Sequence, residues 1–253
     1  MSYLRFLNSV SDNFNSDKLV EKFSGKKILV VGSGPSTREI TWENLEFDSI
    51  ITCNNFFKND KLATRSDISH ISLQPIVDLY DKTLQEYLDT NVNCTIGFEP
   101  HANEFYNSKT YLDFVEKYRD RIVLYNIIDD GFNKSGVGTR LICFVSSFQP
   151  SDVYWVGIDG YSKKPLEDPP NAFRKHSGGI YGPESNRDTF DYAESYRVFR
   201  EAFTNFAKSI NNFSVDYGIK IYNLGEGLDY NMITEISKNS FPLPEQVRSK
   251  LYG

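Results

Sequence analysis

The chain has 253 residues, a mass of 29.1 kDa and a formal net charge of -6 at neutral pH. This length suits one large α/β domain, or one domain with a small lid, and excludes a disulfide-stapled mini-protein. Hydrophobic residues make up 40% of the chain and charged residues 25%, which excludes a disordered or fibrous protein. The negative charge argues against broad binding of nucleic acid but permits a local anion site.

The cysteine and hydropathy patterns bear on the compartment. Cys53, Cys94 and Cys143 are odd in number and far apart, which argues against a disulfide framework or a structural zinc site and favours a reducing compartment. No run of about 18 apolar residues is present, and residues 1–20 are too polar for a signal peptide. We therefore expect a cytoplasmic protein that is soluble, or at most peripheral at the inner face of a membrane.

Short apolar segments alternate with segments of helical spacing along the first part of the chain. Residues 27–31, bounded by Gly25 and Gly32, have the pattern of a strand buried on both faces, which favours a parallel sheet. A helix is predicted to begin at Pro35 or Ser36. Further strands are predicted at 49–53, 68–73, 94–98 and 121–126, and helices at 76–88, 111–121 and 136–148. This alternation is typical of βαβ units.

The later part of the chain contains one clear strand, at residues 153–158, followed by a long polar segment. Residues 160–186 are rich in proline and glycine and lack periodicity, and such a long loop is usually functional or disordered. A helix at 188–211, a strand at 219–224 and a weak C-terminal helix follow. We predict one Rossmann-like α/β domain over residues 1–253, with a mostly parallel sheet, helices on both faces and a lid at about 160–187.

Gly32, Gly34 and Ser36 stand where the first strand passes into a helix. At such a junction the backbone N–H groups and the helix dipole favour a bound phosphate, although a tight turn in any doubly wound sheet also needs glycine. Thr37 occupies the third glycine position of the dinucleotide fingerprint, which disfavours NAD. No Gly-Lys-Ser or Gly-Lys-Thr follows, so the P-loop pattern is absent as well.

Asn54 and Asn55 follow the second predicted strand, where the dinucleotide fingerprint has an acidic residue that binds the ribose. Amide side chains can instead read a base or a sugar. Asparagine also tolerates left-handed backbone and caps the segment that follows it, so turn chemistry explains the pair equally well.

A second glycine-containing helix start lies at Ser135 and Gly136, where the residue types suit either an anion site or an N-cap with close helix packing. Asp159 and Tyr161 follow the strand predicted at 153–158. Two glycine-rich helix starts and one acidic strand end at the same edge of a sheet together predict a cleft for a nucleotide or a polyphosphate.

The chain has three histidines, and His176 lies in the polar loop beside Arg174 and Lys175. Imidazole titrates in the range where proton transfer to and from sugar hydroxyls is useful, which makes His176 a candidate general base. The alternative is a solvated loop residue without a chemical role.

Four short stretches together resemble the bacterial sialyltransferases of the Campylobacter type, and their order and spacing match as well. They are Val31-Gly-Ser-Gly-Pro-Ser36, Cys53-Asn-Asn-Phe-Phe57, Ser135-Gly-Val137 and Gly157-Ile-Asp-Gly-Tyr161, within a similarity that covers roughly residues 26 to 230. The resemblance implies a GT-A-like Rossmann domain with a flexible lid. It also implies transfer of sialic acid from CMP-sialic acid with inversion and without a metal.

The resemblance assigns roles to individual positions of this sequence. The donor-binding positions are Gly32, Ser33 (in place of an asparagine), Gly34, Ser36, Asn54, Gln74, Ser135 and Gly136, and Asp159 lies beside them. Tyr161 corresponds to a tyrosine that holds the donor phosphate, and Tyr181 is the candidate for the second such tyrosine. The family's base is a lid histidine, which here corresponds to His176 in Lys175-His-Ser177.

The expected ligands follow from this resemblance and from one further pattern. No Asp-x-Asp sequence occurs that could hold a cation on a diphosphate, and a CMP leaving group can be stabilised by tyrosine hydroxyls and helix N-termini. We therefore expect no cofactor and no metal. The expected donor carries sialic acid, Kdo or another nonulosonate on CMP, and the expected acceptor is a glycan or a lipid-linked saccharide of polysaccharide biosynthesis. Family members are often oligomeric, so the resemblance also implies a homo-oligomer.

Two other hypotheses fit parts of the pattern. Pyrophosphokinases of the archaeal pterin type resemble the Gly-x-Gly-Pro-Ser loop and the Gly-Ile-Asp stretch, and their use of ATP and Mg²⁺ would make Asp129, Asp130 and Asp159 cation ligands. A glycan-assembly scaffold that retains the fold without catalysis is the non-enzymatic alternative.

Overall fold

The computed structural model of the protein describes residues 16–34, 36–74, 77–98, 108–125, 137–158, 210–212, 214–225 and 242–252. Within these ranges the chain forms a seven-stranded sheet. Its strands are β1 (Lys27–Val31), β2 (Ser49–Cys53), β3 (Ile68–Leu73), β4 (Thr95–Phe98), β5 (Ile122–Leu124), β6 (Asp152–Val156) and β7 (Lys220–Asn223). The seven strands predicted from the sequence are confirmed, and every end lies within two residues of its predicted position.

The strand order is β5-β4-β3-β2-β1-β6-β7, and all neighbouring strands are parallel. The chain adds β2 to β5 on one side of β1 and then adds β6 and β7 on its other side. The direction of strand addition therefore reverses between β1 and β6. In open α/β sheets ligands bind at such a reversal, in the crevice beside the carboxyl ends of the strands.

The helices are shorter than the sequence pattern predicts. They are α1 (Ser16–Phe23), α2 (Ser36–Glu39), α3 (Asp60–Ala63), α4 (Lys82–Thr90), α5 (Lys109–Lys117), α6 (Val137–Ser146) and α7 (Glu245–Tyr252), with 3-10 turns at Trp42–Asn44, Phe56–Lys58 and Arg119–Arg121. The helix predicted from residue 76 begins instead at Lys82, because Asp81 caps it by accepting a 2.9 Å hydrogen bond from the Thr83 amide. Of the helix predicted at 188–211, residues 210 and 211 are described and helical. The predicted lid at 160–187 lies outside the described residues.

Apolar side chains cover both faces of the sheet. Along β1, Ile28 and Val30 join one hydrophobic cluster while Leu29 and Val31 join the other. The first cluster is completed by α1 and α6, and the second by α4, α5 and α7. This two-sided burial explains why residues 28–31 of β1 form a continuous apolar run rather than an alternating one. The three cysteines form no disulfide bond and are buried within these clusters.

Helix α1 has no counterpart among the predictions from sequence. Its Leu19 and Phe23 are buried one turn apart, and the Lys22 ammonium donates hydrogen bonds to the carbonyls of Asn93 (2.6 Å) and Ser69 (3.3 Å). The helix is short, and its apolar positions are too few to mark it in a window of the length that periodicity needs. Among the described parts of the chain, no helix has the length and the hydropathy needed to cross a bilayer.

Candidate functional site

The loops that follow β1 and β6 meet at the point where the strand order reverses. The Gly32 amide donates to the Val156 carbonyl (2.8 Å), and the Gly34 amide donates to the Gly157 carbonyl (2.7 Å). In the opposite direction, the Gly157 amide donates to the Ser36 hydroxyl (2.7 Å). The two loops are therefore joined directly at the carboxyl edge of the sheet.

Two glycines allow this close approach. A Cβ atom on Gly32 would overlap the Gly157 carbonyl oxygen. Gly157 has a φ of +73°, and a Cβ there would overlap the Thr37 hydroxyl. The contact between the loops thus requires glycine at both positions, independently of any ligand.

Thr37 fills the space that the third glycine of the dinucleotide fingerprint leaves empty. Its hydroxyl donates to the Gly32 carbonyl (3.0 Å), and its own carbonyl accepts from the Trp42 indole N–H (2.8 Å). The side chain of Thr37 is buried. Threonine at this position therefore stabilises the loop from within.

The loop that contains Gly32 and the first turn of α6, which follows Gly136, both approach the Ile158 side chain. A Cβ on Gly32 and a Cβ on Gly138 would each lie 2.9 Å from the Ile158 Cγ1 atom. The loop after β1 and the first turn of α6 consequently face each other across the segment that follows β6. The Ile158 side chain lies between the two.

The capacity of the β1 loop to bind an anion is smaller than the sequence suggests. The amides of Gly32 and Gly34 donate to the carbonyls of Val156 and Gly157, and Ser36 is 0% exposed. Helix α2 spans only four residues, so its dipole is weak. Within the described part of this loop, Ser33 is the residue whose amide makes no hydrogen bond to another described residue.

A second polar junction joins the carboxyl ends of β2 and β3. Asn54 is 2% exposed and has a φ of +52°, so the left-handed backbone expected for turn chemistry is present. Its Oδ1 atom accepts a hydrogen bond from the backbone N–H of Gln74 (3.0 Å). The backbone N–H of Asn54 donates to the Ser72 carbonyl (2.9 Å). The structure thus brings Asn54 and Gln74 together.

Three further polar residues at this edge escaped the sequence analysis. The Thr52 hydroxyl donates to the Val31 carbonyl (2.9 Å) and joins β2 to β1. The hydroxyls of Ser72 and Tyr125 share a short hydrogen bond. Each of these residues lies in or directly after an apolar strand, where sequence patterns give no signal of a cross-strand partner.

His70 lies within β3 and away from the carboxyl edge. Thr95 Oγ1 donates to the Ser69 carbonyl and therefore accepts from His70 Nδ1 (2.9 Å), which leaves His70 Nε2 unprotonated and without a partner. Complete burial, together with the nearby Lys22 ammonium, lowers the pKa of His70 to about 3. A ring that is neutral and enclosed in this way is a structural core residue.

The remaining residues assigned from the sequence lie outside the described ranges: Ser135, Gly136, Asp159, Tyr161, His176 and Tyr181. The segment that carries Asp159 and Tyr161 begins directly after Ile158, at the crevice between β1 and β6. Among the residues that the structure describes, no group of three or more histidine, cysteine or acidic side chains is arranged to hold a metal ion.

The chain is similar in fold to solved sialyltransferases. The sialyltransferase CstII from Campylobacter jejuni in complex with the substrate analogue CMP-3FNeuAc has a TM-score of 0.49 and 15% identity, and the match covers 89% of this chain and 98% of that one. The sialyltransferase CST-II in complex with a trisaccharide acceptor and CMP has a TM-score of 0.48 and 16% identity, with the same coverage. An apo alpha-2,3-sialyltransferase from Campylobacter jejuni has a TM-score of 0.48 and 15% identity, over 88% of this chain and 90% of that one.

These structures represent the family that the four sequence stretches resemble. No family model matches the chain, and no curated protein matches it.

Proposed function

We propose that this protein is an inverting, metal-independent glycosyltransferase that transfers sialic acid or a related nonulosonate, such as Kdo, from a CMP-activated donor to a glycan. The observation that carries the proposal is the convergence of Gly32 and Gly138 on Ile158 at the crevice between β1 and β6. Three of the four stretches that resemble sialyltransferases contribute to this edge, through the Gly32 loop, Asn54 and Gly157.

The proposed donor site has two parts. The nucleoside lies near Asn54 and Gln74, whose amide groups suit the donors and acceptors of a base and a sugar. The phosphate lies nearer the crevice between β1 and β6. Because the Gly32 and Gly34 amides bond within the protein, the negative charge of the phosphate falls to other groups. We assign them as Ser33, Ser135, Gly136, Tyr161 and Tyr181.

In the proposed reaction an acceptor hydroxyl oxygen attacks the anomeric carbon of the donor. His176 takes the hydroxyl proton while the new C–O bond forms and the bond from the anomeric carbon to the phosphate oxygen breaks. CMP departs with the bonding electron pair, and the hydroxyls of Tyr161 and Tyr181 stabilise the charge that develops on it. Attack opposite the leaving group inverts the anomeric configuration. Residues 160–187, as a lid, exclude the water that would otherwise hydrolyse the donor.

A transfer assay tests the proposal. CMP-sialic acid and CMP-Kdo are incubated separately with the protein and a panel of oligosaccharides, with and without EDTA. We expect release of CMP and a glycosylated product with one donor, unchanged by EDTA. No turnover of either donor, or a strict need for Mg²⁺ together with ATP, contradicts the proposal.

The assignment of His176 has its own test. His176→Ala should lower the transfer rate by a factor of about 100 or more, the usual contribution of a positioned general base, while CMP affinity is retained. His101→Ala, which changes the same residue type elsewhere in the chain, serves as the control and should retain turnover. Unchanged turnover in His176→Ala shows that another group is the base.

A further inference from the structure

We propose that Ser36 and Thr37 are positioning residues for the join between the loops after β1 and β6, Ser36 by bonding across it and Thr37 by bracing the loop after β1, and that neither side chain contacts the donor. With Gly157 they form what we call the β1–β6 clasp. This inference rests on the proposed function and assigns Ser36 a role different from the direct contact that the sequence resemblance implies.

Two of the three hydrogen bonds of the clasp join the two loops, and the third lies within the loop after β1. The Ser36 hydroxyl accepts from the Gly157 amide (2.7 Å), the Gly34 amide donates to the Gly157 carbonyl (2.7 Å), and the Thr37 hydroxyl donates to the Gly32 carbonyl (3.0 Å). The N–H and the carbonyl oxygen of Gly157 therefore both form hydrogen bonds with the segment that follows β1.

Burial separates the two side chains from any ligand in the crevice. Ser36 is 0% exposed and Thr37 is 1% exposed. The space beside Thr37 is filled as well, because a Cβ on Gly157 would overlap the Thr37 hydroxyl. Buried hydroxyls that are bonded to backbone groups position the backbone and do not reach a substrate.

The position of the clasp in the chain connects it to catalysis. Asp159 and Tyr161 follow Gly157 by two and four residues, so the clasp sets where the segment carrying these side chains starts. A displacement of about 1 Å in a catalytic group can cost about a hundredfold in rate. Loss of the clasp should therefore lower turnover more strongly than nucleotide affinity. The proposed nucleoside site, at Asn54 and Gln74, lies in the separate junction between β2 and β3.

Thr37→Val tests the clasp because valine retains the shape of threonine and removes its hydroxyl. We expect kcat to fall about tenfold or more, while the Kd for CMP changes less than about threefold. Thr37→Ser retains the hydroxyl and should restore most of the turnover.

Thr52→Val is the matched control, because the Thr52 hydroxyl is also buried and also donates to a backbone carbonyl, at 2.9 Å, but between β1 and β2. It should lower the thermal midpoint to a similar extent as Thr37→Val and leave kcat unchanged. Equal losses of kcat in Thr37→Val and Thr52→Val, or no loss in Thr37→Val, overturn the proposal.

Amide hydrogen exchange measured by NMR tests the clasp without any substrate. In Thr37→Val, exchange at the Gly34 and Gly157 amides should accelerate at least about tenfold, and in Thr52→Val it should remain as in the wild type. If the wild-type protein turns over no CMP-sugar, the proposed function fails while accelerated exchange still supports the clasp. Unchanged exchange in Thr37→Val overturns the clasp whatever reaction the protein catalyses.

Discussion

The Ser36 hydroxyl accepts a hydrogen bond from the Gly157 amide at 2.7 Å, although 121 residues separate the two in the chain. This bond lies where the strand order reverses, and it connects the start of α2 to the end of β6. A serine in a glycine-rich loop, which the sequence assigns to a ligand, is thereby part of the join between two loops. The carboxyl ends of β1 and β6, where we propose that the donor binds, lie beside this join.

Gly157→Ala should lower the free energy of unfolding by more than the strain of a left-handed alanine alone, because the new Cβ also overlaps the Thr37 hydroxyl. A left-handed residue other than glycine costs about 1–2 kcal/mol, and overlap with the Thr37 hydroxyl should add about 1–3 kcal/mol. Gly218→Ala is the control, because Gly218 has a similar φ of +68° and no atom within 4 Å of its Cβ position. Urea denaturation of both variants measures the difference. Equal free energies of unfolding in the two variants would show that the loops are not in contact.

Gly138→Ala tests the convergence of the two glycine segments on Ile158. Alanine within a helix is normally more stable than glycine by about 0.5–1 kcal/mol. Here its Cβ would lie 2.9 Å from Ile158 Cγ1, so we expect Gly138→Ala to destabilise the wild-type protein. In the background of Ile158→Ala the same change should become neutral or stabilising. Independent effects of the two substitutions in a double-mutant cycle would contradict this contact.

Asn54→Asp tests whether the junction formed by Asn54 and Gln74 binds the nucleoside. Aspartate retains an oxygen that can accept from the backbone N–H of Gln74, but it lacks the side-chain N–H donors of asparagine. Loss of one hydrogen bond to CMP should raise its Kd about tenfold, equivalent to about 1.4 kcal/mol. Asn55→Asp introduces the same charge one residue away and should change the Kd much less. Similar Kd values for CMP in the two variants would place the nucleoside elsewhere.

His70 should make the folded state sensitive to acid. Its pKa is about 3 in the folded protein, against an ordinary value of 6.5, because burial disfavours the charged ring. Between these two values the unfolded chain binds a proton that the folded protein does not, so stability falls as the pH is lowered below 6.5. The contribution of this one residue is about 1.4 kcal/mol per pH unit.

His70→Phe provides the comparison, since phenylalanine retains a ring against Phe144 and does not titrate. The free energy of unfolding, measured from pH 6.5 to pH 4.5, should decline less steeply in the variant than in the wild type. Equal slopes would show that His70 is protonated in the folded protein.

The strands could be predicted from the sequence because both faces of the sheet are buried. Val30 and Val31 pack into opposite clusters, so residues 28–31 of β1 are all apolar and stand out from the residues around them. Helix α1 gives a weaker signal, since Leu19 and Phe23 are the fully buried side chains among residues 18–23, whose burial the structure describes. Short amphipathic segments depend on tertiary contacts that periodicity does not reveal.

The site could be predicted in position but not in chemical detail. A glycine that leaves room for a phosphate and a glycine that leaves room for another loop have the same sequence pattern. Gly32 is of the second kind, because Gly157 and Ile158 occupy the space beside it. Asn54 was open to two interpretations for a similar reason. Its left-handed backbone and its bond to the Gln74 amide favour turn chemistry, and both place its side chain at the carboxyl edge.

Calorimetric titration of the wild-type protein with CMP, UDP, GDP and ATP tests the central claim most directly. We expect CMP to bind with a stoichiometry of one per chain and more tightly than the other three nucleotides, without added metal. Binding of ATP or UDP in preference to CMP, or no binding of CMP, would contradict the assignment of the crevice between β1 and β6 to a cytidine-activated donor.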